Sequence, residues 1–229
     1  MATFFTLAEI RSKVEKDLDL EDEVFVTTTE LNSYCNEAID EAEAEIHGLY
    51  EDYFLNKATI TLVQGTSDYA LPSDIYAHKI RRIIYQNGAT IYPIERMKDW
   101  KKFEQKAITD FYPGTAWYSY LILNAVAGSP KLSLVPTAQE SGAYVTVWYI
   151  RNAARLTNDS DICDIPEFVN FIYQYMKVRV YEKEMNPNTQ GAIAVLQQQR
   201  ELMQGTLATM VPDADNNIEM DLSSYEEQS

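Results

Sequence analysis

The chain has 229 residues, 46% of them hydrophobic and 24% charged, with a formal net charge of −16 at pH 7. A chain of that length buries roughly 70% of its unfolded surface, so a core forms without disulfide or metal staples. The charge argues against tight nucleic-acid binding through phosphate contacts, and no apolar stretch approaches the ~20 residues that span a bilayer.

No charged-then-apolar leader opens the sequence, so the expected compartment is the cytosol. Cys35 and Cys163 are two thiols in apolar contexts, expected to be buried rather than bridged. The charge is unevenly placed. Residues 15–52 hold fourteen acids and one base, Lys16, and the segment from Pro212 to Ser229 holds six acids and no base. Such acidity suits a solvated face, or a surface that repels DNA so that a duplex slides past.

In chain order, Thr6 with Glu9 makes a capping box, and Leu7, Ile10 and Val14 follow on one face of a short helix to about Leu18. Asp17 to Glu23 reads as an acidic loop. Thr27 with Glu30 offers a second capping box, with Thr28 an alternative cap. Behind it Leu31, Cys35, Ala38, Ile39, Ala42, Ile46, Leu49, Tyr50 and Tyr53 recur at helical spacing, predicting a long helix from Thr28 to Leu55. The opposite face carries Glu37, Asp40, Glu41, Glu43 and Glu51.

Near Lys57 the period changes from 3.6 to 2. Thr59 to Leu62 alternates, Gly65-Thr66-Ser67-Asp68 turns the chain, and Tyr69 to Asp74 leads out of it. Lys79–Tyr85 and Thr90–Ile94 flank Asn87-Gly88, a type I′ hairpin signal. Glu95 to Ala107 predicts a short helix with Trp100 and Phe103 inward. Trp117–Leu123, Lys131–Val135 and Ala143–Tyr149 complete five or six strands, enough for a small sandwich or an open barrel.

The reverse switch comes after Asp159-Ser160-Asp161 and Ile165-Pro166-Glu167, where Phe168, Val169, Ile172, Met176 and Val180 take up helical spacing. Pro166 suits a first helical turn, and Pro187 ends the helix. A last helix runs from Thr189 to Ala208, with Ile193, Leu196, Leu202 and Met203 as its expected buried face. Beyond Pro212 the chain is polar and acidic, with Ile218, Met220, Leu222 and Tyr225 at intervals of two or three. That composition predicts disorder in isolation and anchors that order on a partner.

Catalytic patterns are missing. There is no Gly-rich phosphate loop and no nucleophile elbow. His47 and His78 are far apart, and Glu43 with His47 is a lone i,i+4 pair that closes no metal site. Paired carboxylates alone would serve a glycosidase, but thirty-five acids give that reading no specificity. No cofactor is expected. Lys98, Lys101, Lys102 and Lys106, with Arg81 and Arg82 nearby, form a basic cluster. It reads either as an exposed face balancing local acids or as a contact with an acidic surface. That surface would be DNA or a neighbouring copy's long helix, through Glu37, Asp40 and Glu41. The aromatics Trp117, Tyr118, Tyr120, Trp148 and Tyr149 read mostly as core, with interface anchors among them.

The order of these parts resembles the head-to-tail adaptor (connector or head-completion) proteins of tailed bacteriophages. The resemblance rests on Leu31 to Ile39, the run Gly65-Thr66-Ser67-Asp68-Tyr69-Ala70-Leu71-Pro72-Ser73-Asp74, Leu132 to Pro136 and Val145 to Tyr149. It continues through Leu156-Thr157, Asp159 to Asp161 and Ile165 to Phe168, and covers residues 1 to 210. The implied fold is α+β: a bundle of about four helices from both ends of the chain (1–56 plus 160–210), a β-rich insertion (57–159) and an acidic extended tail (211–229).

The implied role is a structural virion protein of the neck, assembled in the host bacterial cytoplasm. It would form a ring, of twelve copies, between the portal protein and a downstream tail protein, a nozzle or tail tube. Genomic DNA would pass through without sequence-specific binding, and no membrane is involved. Ile218, Met220, Leu222 and Tyr225 are the expected portal anchors. No motif carries a lytic activity over. The alternatives are a peptidoglycan-cleaving hydrolase using paired carboxylates and a monomeric binding module.

Overall fold

The computed structural model describes residues 5–20, 25–98, 118–123 and 130–210. These fall into two compact units: residues 1–50 with 155–229, and residues 51–154. The first holds the α-helices and the second the sheet.

In the helical unit, α1 (Leu7–Leu18) and α2 (Thr28–Leu49) both start at capping boxes. Thr6 Oγ1 accepts from the Glu9 amide and Glu9 reaches back to the Thr6 amide at 2.9 Å. Thr27 and Glu30 repeat the arrangement with the same 2.9 Å contact, so each box satisfies two orphan amide donors. Two further donors at the start of α1, the amides of Leu7 and Ala8, bond the carbonyls of Asp161 and Asp159. The α1 stripe Leu7, Ile10, Val14 and the α2 stripe Leu31, Cys35, Ala38, Ile39, Ala42, Ile46 are buried. The second helix is shorter than its apolar spacing predicts. It ends at Leu49, where Tyr50 leaves the helical region at φ −143° and ψ 78°; a 3₁₀ turn covers Glu51–Phe54, with Phe54 buried, and the first strand starts at Leu55.

A 3₁₀ turn at Pro166–Phe168 leads into α3 (Val169–Glu184), and α4 (Thr189–Met210) follows. Packed against α1, α2 and α4, α3 buries Val169, Phe171, Ile172, Tyr173, Met176, Val178 and Val180. The expected stripe of Phe168, Val169, Ile172, Met176 and Val180 is buried, and contacts on further sides bury Phe171, Tyr173 and Val178 beside it. The expected face of α4 is corrected. Ile193 and Leu202 are exposed, at 38% and 58%, and Leu196 is half-buried; Met203 is buried as expected, beside Ala192 and Leu207. With one acid and one base, Glu201 and Arg200, in 22 residues, this helix offers no charged face from which to read its phase.

The second unit is one seven-stranded sheet in the order β1-β7-β3-β4-β5-β6-β2. The strands are β1 (Leu55–Thr61), β2 (Asp68–Ala70), β3 (Ile75–Asn87), β4 (Thr90–Arg96), β5 (Ser119–Leu123), β6 (Lys131–Val135) and β7 (Tyr144–Arg151). A single core cluster draws on all seven, from Tyr69, Ile83, Ile94, Tyr120, Leu134 and Val147 to the partly buried Ile60. The sheet is therefore curled around its own core, the open-barrel alternative, with seven strands instead of five or six. The hairpin loop is Gly88-Ala89 between paired Asn87 and Thr90, and only Gly88 has positive φ, 54°. That fits a II′ turn and corrects the I′ expectation, which needs positive φ at both central residues. Glu95 and Arg96 end β4 instead of opening a helix, and residues 99–107 of that expected helix lie outside the described residues, as do Trp100 and Phe103.

Candidate interaction surfaces

The turn motifs are structural. The Tyr69 hydroxyl accepts from the Val63 amide and lies 3.1 and 3.2 Å from the carbonyls of Val63 and Thr66, closing the Gly65 loop. Asp68 accepts from Ser133 at 2.7 Å across the β2–β6 pair. The Tyr149 hydroxyl donates to Asp74 at 3.0 Å and accepts from Asn56; burial first, and Asp74 second, push it up to about 12. In the helical unit Asp161 accepts from the amides of Thr157 and Asn158, which hold its carboxyl down at about 2. Asn36 clamps both backbone groups of Leu156 at 2.9 Å. Nothing in the local pattern announces Asn36; its partner is 120 residues away.

Cys35 and Cys163 are free and buried, and burial pushes them up to about 12 and about 11. His47 meets Glu43 at 3.2 Å. Among the described residues no group of three or more His, Cys, Asp or Glu is placed to hold a metal, and no helix is long and apolar enough to cross a membrane.

The acids of α2 are not a bare face. Glu30 meets Lys183 at 2.7 Å, Glu37 meets Arg179 at 3.1 Å and Asp40 meets Arg155 at 2.6 Å. Arg200 pairs with Glu41 and, at 2.5 Å, with Glu45. Lys177 and Arg11 answer Asp17 and Asp159. The proposed acidic interface residues Glu37, Asp40 and Glu41 are thus engaged by bases of their own unit while remaining partly exposed. The carboxylates respond: Lys183 first, then the Thr27 amide, hold Glu30 down at about 2, and Lys177 lowers Asp17.

The basic cluster behaves differently. Arg81 is held by Glu51 and Asp52, and Lys79 by Glu51. Arg82, Arg96 and Lys98 are exposed and line an open groove of about 640 Å³ with Ile83, Ile94, Ser119 and Tyr120. The groove sits where the sheet turns parallel, Arg96 opposite Tyr120 on the β4–β5 pair. Lys101, Lys102 and Lys106 lie outside the described residues, as do Trp117, Ile218, Met220, Leu222 and Tyr225. Of the aromatics read mostly as core, Tyr118, Tyr120 and Tyr149 are buried as expected; Trp148 is partly exposed beneath the Lys57 ammonium, 5.6 Å from its ring centroid.

These surfaces sit on an α+β chain whose helical bundle is split in sequence by an inserted curled sheet. The match to a family model is decisive at residues 5–220: the chain belongs to the SU10 adaptor protein family, and is a head–tail adaptor of the phage virion. A search of curated proteins finds no match. Among solved structures, a chain from the "Neck of empty GTA particle computed with C6 symmetry" shares 12% identity, with 78% of this chain and 77% of that one covered. Its TM-score is 0.28, too little shared geometry to bear on fold or role.

Proposed function

We propose that the protein forms a twelve-membered ring in the virion neck, between the portal protein above and a nozzle or tail-tube protein below. The ring extends the DNA channel and serves as the platform on which the tail docks. The observation that carries this reading is the family match across residues 5–220. The split bundle supports it, since helices from both ends of the chain make one unit and the inserted sheet makes another. The role needs no catalytic group and no cofactor, and assembly takes place in the host cytoplasm.

On this reading Ile218, Met220, Leu222 and Tyr225 anchor the portal, since apolar residues recur in an otherwise acidic segment. Lys98, Lys101, Lys102 and Lys106 face a neighbouring subunit. Glu37, Asp40 and Glu41 meet a neighbour as already neutralised pairs. The test is mass measurement in solution, alone and mixed with portal rings, beside co-sedimentation of the I218S/M220S/L222S/Y225S variant. Assembly on the portal that the variant loses supports the reading. A chain that stays monomeric with portal present, or turnover of cell-wall substrate, overturns it.

A further inference from the structure

In the helical unit seven of eight Lys and Arg residues sit in ion pairs: Arg11, Lys13, Arg155, Lys177, Arg179, Lys183 and Arg200. In the groove, among the described residues, Arg82, Arg96 and Lys98 enter none. They converge on one cavity with Tyr120, whose phenol is pushed up by burial and drawn back by the Arg96 charge. Three exposed cations around one concave groove make a site for an anionic chain. The acids of α2 are poor candidates, because each would have to leave a pair it already makes.

We propose that this groove receives the acidic C-terminal segment, residues 212–229, of a neighbouring copy, an inference that rests on the ring reading above. That segment has six acids, Asp213, Asp215, Glu219, Asp221, Glu226 and Glu227, and no base. Its centre, Ile218-Glu219-Met220-Asp221-Leu222, alternates apolar and acidic residues. Bound as an extended strand, in which alternate residues face opposite sides, the segment would turn Glu219 and Asp221 on one side toward Arg82, Arg96 and Lys98. Ile218, Met220 and Leu222 share the other, which leaves them for the portal. Groove and segment are different surfaces of one chain with opposite charge. A contact between them is heterologous, the kind from which closed rings are built, and its charge match sets register more than raw affinity. Duplex DNA, the other anionic chain such a groove could meet, is an outcome that the test distinguishes.

The test uses the full-length chain with its six tail acids changed to amides (Asp→Asn, Glu→Gln), titrated with a fluorescent peptide of residues 211–229. Saturable binding is expected, weakened about tenfold or more by R82Q/R96Q/K98Q and by salt that screens exposed charges. Absence of binding, or binding indifferent to the triple substitution, overturns the groove. Tighter duplex-DNA binding that the same substitution abolishes overturns the occupant. To locate the donor, wild-type protein in mixed nitrogen-isotope labels is coupled with a carbodiimide, which joins the Lys98 amine to a tail carboxylate as an amide with loss of water. Mixed-label cross-links are expected, and exclusively same-label cross-links overturn the neighbouring copy. A monomer in the mass measurement with intact peptide binding would sink the ring and leave the groove standing.

Discussion

The two units differ most in what they do with charge. The helical unit carries eight Lys and Arg against twenty-six Asp and Glu, a net −18, and the sheet unit carries eleven against nine, a net +2. The unit with the greater excess has seven of its eight bases already paired, and the nearly balanced one leaves Arg82, Arg96 and Lys98 open to solvent. Net charge therefore does not say where a charged partner binds. What matters is which charges lack an internal answer, and that depends on packing: α2 lies against α3 and α4, whose Arg179, Lys183 and Arg200 reach its acids.

The comparison breaks most visibly if the units fail to lose structure separately. All three tryptophans, Trp100, Trp117 and Trp148, belong to the sheet unit, and the described α-helices belong to the other. Helical circular dichroism and tryptophan emission thus report on different units. Ile172 is fully buried in the helix that touches the other three, so Ile172→Ala should cost about 2–5 kcal/mol. The helical signal should then melt at lower urea while the emission midpoint moves much less. Equal shifts in both would show a single cooperative body.

Acid should act in the same direction. Glu9, Asp17, Glu30, Asp159 and Asp161 are all held below the ordinary carboxylate range, and all five lie in the helical unit. Thr6, Lys177, Lys183, Arg11 and the Asn158 amide are the respective first causes. A lowered native pKa stabilises fully above the unfolded value, and that stability is lost as pH falls through the native one. Helical stability should therefore decline from about pH 5 toward about pH 2, where Glu30 and Asp161 titrate. A helical urea midpoint flat over that window would remove these carboxylates from the account.

Local chemistry was readable from residues in order, and long-range pairing was not. Thr6 with Glu9 and Thr27 with Glu30 marked both helix starts because a capping box closes within four residues. The phase of α4 could not be read from a helix with so few charges, and Asn87-Gly88 suggested a turn that the structure sets one residue later. The ion pairs of Arg179 and Arg200 join residues 142 and 159 positions apart, which periodicity cannot see. In the groove Arg82 and Lys98 were visible as part of a basic cluster, but Arg96 was not singled out. A signal existed: Arg96 falls in phase with inward Tyr92 and Ile94 on β4, a base where alternation predicts an apolar residue.

A smaller effect tests whether the pairing within the helical unit stabilises it or only neutralises it. Arg200 bridges Glu41 and Glu45 and also lies 5.9 Å from the Phe171 ring centroid. Such part-exposed pairs contribute about 0.2–1 kcal/mol, so Arg200→Gln should lower helical stability by roughly that amount and less at high salt. A loss as large as that of Ile172→Ala would mean the pairs, rather than the apolar stripe, hold α4 in place.

The smallest expected change is the sharpest. Arg82→Gln removes an exposed cation that, among the described residues, enters no ion pair, so stability should stay within about 0.5 kcal/mol of the parent. Urea midpoints by both signals check this. Arg81→Gln, one residue away, removes bonds to Glu51 and Asp52 at 2.5 and 2.7 Å and should cost up to about 1 kcal/mol. If the two substitutions cost the same, the distinction between answered and unanswered charge fails at the site where it matters most. If Arg82→Gln is silent in stability and Arg81→Gln is not, the open cations of the sheet unit owe their placement to something other than folding.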